Sequence, residues 1–255
     1  MTGRLSVLTV NVGNTNTKVC LFQDRRLVQR RIVPTREMRR QPDRFVPARK
    51  HLHGAALASV VSAATNRCAA AITRRTGLVP FLLDQDSILG LEVRYDRQQL
   101  GADRICDAVG ARAIRHGDLI VVDFGTAVTV NIVKREGVFL GGPIMPGQNL
   151  MLESLHRTPA RLPLVKPKRT ARLFARRTSE ALQAGTCQLL CLGIEQVVRR
   201  IEKATGRTFT VIATGGDAGR MKPQVPRIEV VEPDLAARGL LELFLLNRTR
   251  DSTNG

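Results

Sequence analysis

The sequence predicts an α/β protein built twice over, from two β-β-β-α-β-α units with a cleft between the halves. Three observations carry that expectation. One order of strand and helix patterns is read in the first half of the 255 residues and again in the second. Each copy opens on an apolar strand that ends in a turn carrying Gly and Thr: "NVGNTNTK" at Asn11 to Lys18, and "DFGTAVT" at Asp123 to Thr129. A helical pattern stops at His116 and Gly117, which sets the halves at 1–116 and 117–255.

In order, "RLSVLTVNV", "TKVCLF" and "RLVQRRIVP" read as three strands joined by short turns, followed by a polar helix near 36–52. "ALASVVS" reads as a strand, "TNRCAAAITRRTG" as a helix closed by Gly77, "VPFLLD" as a strand, and Gln98 to His116 as a helix. The second unit repeats the pattern with strands "DLIVVDFGTA", "VTVNIVKREG" and "VFLGGPIM". Helices at Gly147 to Arg157 and Thr178 to Thr205 follow, then strands "FTVIATGG" and "RIEVVEP", and a last helix from Asp234 to Asn247.

Composition bounds the function. A chain that is 43% hydrophobic buries a large core, and its apolar stretches are too short or too interrupted to cross a bilayer. With no basic-then-apolar leader at its start, the expectation is a soluble cytoplasmic protein without a membrane partner. The five cysteines lack paired CxxC spacing; Cys187 and Cys191, one helical turn apart, read as small buried side chains rather than a metal site. Lys and Arg number 40 against 22 Asp and Glu, a net +18 that attracts polyanions. The positive residues are scattered, Tyr95 is the one tyrosine, and there is no tryptophan to stack bases. The reading is therefore a basic surface set by composition, not a nucleic-acid site, with the basic loop from Pro163 to Arg177 as the stretch where anions could bind.

Gly13 lets the backbone approach a ligand, and the amides and Thr15 hydroxyl of that turn can donate to phosphate oxygens. Gly125 and Thr126 repeat the arrangement, with Asp123 at the strand's end. Either turn alone is equally well a plain hairpin; two at equivalent points of a repeat suit a polyphosphate clamp, and neither matches the usual Gly-rich nucleotide loops. In "YDRQQLGADRICDAVGARA", Gly101 precedes a helical run that places Asp103 and Arg104 in its first turn. A helix N-terminus favours Asp for its own stability. A functional reading makes Asp103 a proton acceptor for a substrate hydroxyl and Arg104, with its planar fork, a carboxylate holder.

The ordered set "NVGNTNTK", "YDRQQLGADR", "VDFGTAVT", "GGPIMPG", "RRTSEALQAG" and "ATGGDA" resembles type III pantothenate kinase, over about Leu8 to Leu246. The resemblance implies the duplicated actin-like ATPase (ribonuclease H-like) fold of the acetate and sugar kinase, Hsp70 and actin superfamily. It implies ATP-dependent phosphorylation of pantothenate, the first step towards coenzyme A, by a homodimer that uses Mg²⁺ and a monovalent cation, K⁺ or NH₄⁺. It implies ATP-phosphate contacts at Asn11, Val12, Gly13, Asn14, Thr15, Asn16, Thr17 and Lys18, and at Thr126. By the same resemblance, Tyr95, Gly101, Ala102, Asp103, Arg104 and Thr178 contact pantothenate, and Asp103 is the general base. Asp123 is then the monovalent-cation ligand, and Gly215 and Gly216 lie near the adenosine.

The chain departs from that pattern at Asn11, where the family has Asp, at Phe124, and by one residue fewer between Tyr95 and the following Gly. An amide oxygen can still ligate Mg²⁺ but brings no charge. Two further readings are therefore a nucleotide-binding relative with a regulatory role and a protein recruited to nucleic acid through its charge.

Overall fold

Leu8, Val10 and Val12 alternate with Val7, Thr9 and Asn11, and only Asn11 keeps appreciable solvent exposure. A strand buried on both faces belongs at the centre of a sheet. It is β1 in the computed structural model, which describes residues 4–48, 51–158, 162–168 and 173–251, without the side chains of the last three. The elements run β1 (Ser6–Val12), β2 (Asn16–Gln23), β3 (Arg26–Pro34), α1 (Thr35–Arg40), α2 (Pro42–Phe45), β4 (Gly54–Ser59), α3 (Ser62–Thr76), β5 (Phe81–Leu82), β6 (Glu92–Val93) and α4 (Ala102–Ile114). There follow β7 (Leu119–Phe124), β8 (Ala127–Val133), β9 (Val138–Gly141), β10 (Ile144–Pro146), α5 (Gln148–His156), α6 (Thr178–Thr205), β11 (Thr210–Thr214), α7 (Ala218–Met221) with a 3₁₀ turn after it, β12 (Ile228–Val231) and α8 (Leu235–Asp251).

These elements form two compact units, Met1–His116 with Glu136–Phe139 and Asp234–Gly255, and Gly117–Arg135 with Leu140–Pro233. In the first, strands order β3-β2-β1-β4-β5. β1 pairs antiparallel with β2 and parallel with β4, which places Asn11 opposite Lys18 on one side and Ala58 on the other. One face of this sheet packs Leu8, Val10 and Val19 against Met38, Cys68 and Ile72 of α1 and α3. The second unit repeats the topology: β7 pairs antiparallel with β8 and parallel with β11, β11 pairs parallel with β12, and β10 adds antiparallel to β8. Its core joins Ile120, Val122 and Phe124 to Cys187, Leu190, Cys191 and Ile194 of α6.

The structure differs from the sequence reading in several places, among them β6 and α7, which that reading did not contain. The helix expected near 36–52 is two short helices, because Pro42 drives Gln41 out of helical geometry (φ −140°, ψ 63°) and the second ends before Pro47; residues 49–50 lie outside the described residues. The strand expected at 138–145 is split into β9 and β10 around Gly142 (φ +147°) and Pro143. The helix expected from Gln98 starts at Ala102, since Asp96 first holds a turn by accepting from the Gln98 N–H at 2.9 Å. The last helix, read as part of the second half, groups with the first unit. Its Leu235, Leu240, Leu241 and Leu243 are buried, and it packs on α4, β1 and β4. The closest approach is between glycines: a Cβ on Gly239 would overlap the Cys106 carbonyl oxygen, and one on Gly110 would overlap that of Leu235. Each helix so brings its backbone within side-chain reach of the other.

Candidate functional site

The first Gly-Thr turn is a hairpin between β1 and β2, closed by the Gly13 N–H donating to the Asn16 carbonyl at 3.1 Å. Asn14, Thr15 and Asn16 are exposed, Asn11, Gly13 and Lys18 half-buried, and Val12 and Thr17 buried beneath. Thr35, which sequence reasoning missed, stands behind this turn. Its backbone N–H donates to the Thr15 carbonyl at 2.8 Å and its hydroxyl to the Gly13 carbonyl at 2.7 Å.

The second turn, between β7 and β8, is one residue tighter, closed by the Gly125 N–H donating to the Ala127 carbonyl at 3.2 Å. The Gly147 N–H donates from behind to the Thr126 carbonyl at 2.9 Å, leaving Gly125 and Thr126 exposed. A side chain on Gly147 would strike the carbonyl oxygens of Gly125 and Thr126, so only glycine fits there. Asp123 is half-buried at the end of β7, in register with Thr214, and the segment that starts at Gly215 folds back over it. The Asp217 N–H donates to the Phe124 carbonyl at 3.3 Å, and the Asp217 carboxylate pairs with Arg220 at 3.0 Å. Arg220 also donates to Gln148 at 2.6 Å, and Gln148, buried at the start of α5, donates to Thr186 of α6 at 3.1 Å. The "ATGGDA" segment is thus tied to the helices that flank the second turn.

The Gly101 to Arg104 motif forms the N-terminus of α4. Gly101 is its N-cap, and Asp103 Oδ1 accepts from the Arg104 N–H at 2.8 Å, which orients the carboxylate. Arg104 is only 4% exposed. Its guanidinium carbon lies 5.2 Å from the Tyr95 ring centre and 5.8 Å from that of Phe139, the rings themselves 6.4 Å apart and steeply inclined. Phe139 arrives through β9, whose start pairs with β6 just before Tyr95, and no feature of the one-dimensional pattern marked it. This N-terminus stands beside the root of the first hairpin: a Cβ on Gly101 would lie 3.8 Å from Val60, whose N–H donates to the Val12 carbonyl at 3.1 Å. A cavity of about 360 Å³ opens there, lined by Val60, Leu83, Arg97, Gln99, Gly101 and Ala102. Asp103, Arg104 and Tyr95 are not among the residues that line it.

Thr178 is exposed at the first position of α6. It lines an apolar recess of about 890 Å³ between α5 and α6 with Leu150, Met151, Leu155, Leu182 and Leu189. Of the basic loop from Pro163 to Arg177, residues 169–172 lie outside the described residues.

Among the described residues no group of three or more His, Cys, Asp or Glu could hold a metal. Mg²⁺ is usually held by one or two carboxylates together with phosphates and water; at the head of the first hairpin the chain offers instead the Asn11 amide oxygen, a donor of the right kind that brings no charge. For a monovalent cation, Asp123 Oδ1 and the Phe124 carbonyl both face the Cα of Gly215, where a Cβ would overlap the carboxylate. These two oxygens beside a bare glycine suit such an ion. The thiols are of another kind. All five are buried and free; burial pushes Cys20 and Cys191 up to about 12, Cys68 up to about 11 and Cys106 well above its ordinary value, so these four are not nucleophiles at neutral pH.

The Arg104 cage allows one test. Arg104→Lys replaces a planar cation stacked on two rings by a point charge, so the Michaelis constant for a carboxylate substrate will rise by about tenfold or more while the maximal rate falls less. Steady-state kinetics check this; an unchanged constant would mean that Arg104 serves only the packing of the rings.

The family model for type III pantothenate kinase matches residues 7–200. A type III pantothenate kinase of Phenylobacterium zucineum is 31% identical over 255 aligned residues, covering 96% of this chain and 99% of the relative. Among solved structures, a Campylobacter jejuni protein described as a Baf family transcriptional activator superposes with a TM-score of 0.61 at 19% identity, over 95% of this chain and 99% of that one. A Listeria monocytogenes protein described as an N-acetylmannosamine kinase gives a TM-score of 0.55 at 11% identity, over 94% and 99%. The fold is the duplicated actin-like one of the sugar kinases. With most of its length matched by the family model and nearly all of it aligned to a named relative, the chain belongs to the type III pantothenate kinase family.

Proposed function

We propose that this protein transfers the γ-phosphoryl group of ATP to the primary hydroxyl of pantothenate, giving 4′-phosphopantothenate. The observation that carries this reading is the junction of a phosphate-type hairpin and an oriented carboxylate in the first unit, linked through Val12, Val60 and Gly101. Phosphoryl transfer needs positioning and charge stabilisation more than covalent chemistry, and that junction supplies both.

In this reading the turn amides and hydroxyls of Asn11 to Lys18, with Thr126 of the second turn, hold the ATP phosphates. Asp103 uses Oδ1 to fix itself to the helix and Oδ2 to accept the hydroxyl proton. Arg104, held against Tyr95 and Phe139, anchors the pantothenate carboxylate, with Gly101 and Ala102 in the wall of the cavity at the start of α4. Thr178 is a further pantothenate contact. Mg²⁺ at the Asn11 end and K⁺ or NH₄⁺ at Asp123, when bound, neutralise phosphate charge. The apolar exposed residues Leu189 and Leu192, three apart on α6, with Leu150 on α5, support a homodimer. No helix among the described residues is long and apolar enough to cross a membrane.

A coupled assay of ADP release with pantothenate and Mg²⁺-ATP, with and without K⁺, tests the proposal. Pantothenate-dependent ADP release supports it, and its absence leaves the regulatory reading. Asn11 sharpens the test. A carboxylate at that position would lie across the strand pair from Lys18 and still bring a charge to the Mg²⁺ end of the site. Asn11→Asp is therefore expected to raise the maximal rate by about tenfold or more at constant Michaelis constant for pantothenate. A gain below about threefold, in a protein that is slow to begin with, would show that Asn11 is not what limits the rate.

A further inference from the structure

We infer that Thr35 is the positioning residue of the first phosphate hairpin, fixing the direction of its amides through two bonds made from the side away from solvent. The inference rests on the reading of that hairpin as the ATP-phosphate site.

Thr35 is the first residue of α1, and it is 4% exposed. Its hydroxyl has one proton, which goes to the Gly13 carbonyl at 2.7 Å, so the 3.0 Å contact with Thr17 Oγ1 has Thr17 as donor. Thr17 is fully buried. The result is a directed chain, from Thr17 hydroxyl to Thr35 hydroxyl to Gly13 carbonyl, parallel to the bond from the Thr35 N–H to the Thr15 carbonyl. No peptide bond among the described residues is cis. In a trans peptide the C=O and the following N–H point in opposite directions. Drawing the Gly13 and Thr15 carbonyls towards Thr35 therefore aims the N–H groups of Asn14 and Asn16 away from it. Those are residues on the exposed side of the turn, where amide dipoles would meet phosphate oxygens.

The second unit supplies an internal comparison. There Gly147, the N-cap of α5 just after β10, donates its backbone N–H to the Thr126 carbonyl at 2.9 Å, as Thr35 does to that of Thr15. It has no hydroxyl and no room for one. The backbone brace is thus common to both turns and the hydroxyl chain belongs to the first, which makes the hydroxyl separable by mutation.

Thr35→Val keeps the branched shape and the backbone N–H but removes the hydroxyl. It is expected to raise the Michaelis constant for ATP and lower the maximal rate, each by about tenfold, with that for pantothenate unchanged; Thr35→Ser will restore both. Amide hydrogen exchange at residues 13–16 will quicken by about tenfold or more in Thr35→Val and not at the β7–β8 turn. An unchanged Michaelis constant for ATP, an equal rise for both substrates, or a failure of Thr35→Ser to rescue would overturn the inference. Thr35→Ala is the second variant. If both hydroxyl-free proteins unfold globally the inference also falls, because Thr35 would then hold the unit rather than the turn. Should the unaltered protein show no turnover, the kinase reading falls, and exchange at residues 13–16 decides the brace alone.

Discussion

Asp103→Asn is expected to reduce turnover by about 10²- to 10⁴-fold, the range for loss of a positioned proton acceptor, while the fold and ATP binding persist. The separation of effects follows from the carboxylate's two oxygens. Asn retains an Oδ1 that can accept the Arg104 N–H, so the first turn of α4 stays capped. It loses the basic oxygen that would take the proton of the substrate hydroxyl. Thermal midpoint, ATP titration and maximal rate should be measured on one preparation. More than about a tenth of the rate retained would assign Asp103 to the helix N-terminus alone.

Gly239→Ala is expected to lower stability by about 3 kcal/mol, against a helix-propensity gain of about 1 kcal/mol from the same change elsewhere. The added Cβ would overlap the Cys106 carbonyl and sit 2.8 Å from the Gly110 nitrogen. Both are main-chain atoms inside α4 and cannot swing aside. The loss corresponds to a fall in midpoint of roughly 6–12 °C. Gly193→Ala is the control, because that α6 glycine has nothing within 4 Å of an added Cβ and should gain stability instead. A midpoint for Gly239→Ala at or above that of the unaltered protein would refute the close-packing account.

What could be read in advance was whatever the chain expresses locally. The three opening strands of the first unit, the first two of the second, α6 from Thr178 to Thr205 and the Gly77 cap in left-handed geometry all carry their signals within a few residues. The two Gly-Thr turns carry theirs at equivalent points of a repeat. What could not be read depends on partners distant in sequence. Nothing in "TREMRR" says that Thr35 reaches back to Gly13, and nothing in "VFLGG" says that Phe139 will face Arg104. Gly110 and Gly239 look like two weak positions in two helices until the helices are seen to cross at them. The break at Pro42 is a different matter: its cause was local and legible, and the polar helical pattern on both sides obscured it.

That α8 completes the unit begun at β1 bears on how the protein is made. The ribosome delivers residues in order, and domains tend to fold as units once their chain is available. The second unit has all of its residues by Pro233, whereas the first still awaits the segment from Asp234. The part synthesised first is therefore the part finished last. Until then the α4 surface around Cys106 and Gly110 has no helix to meet it, and a nascent chain halted before Asp234 would present that apolar strip to chaperones and proteases.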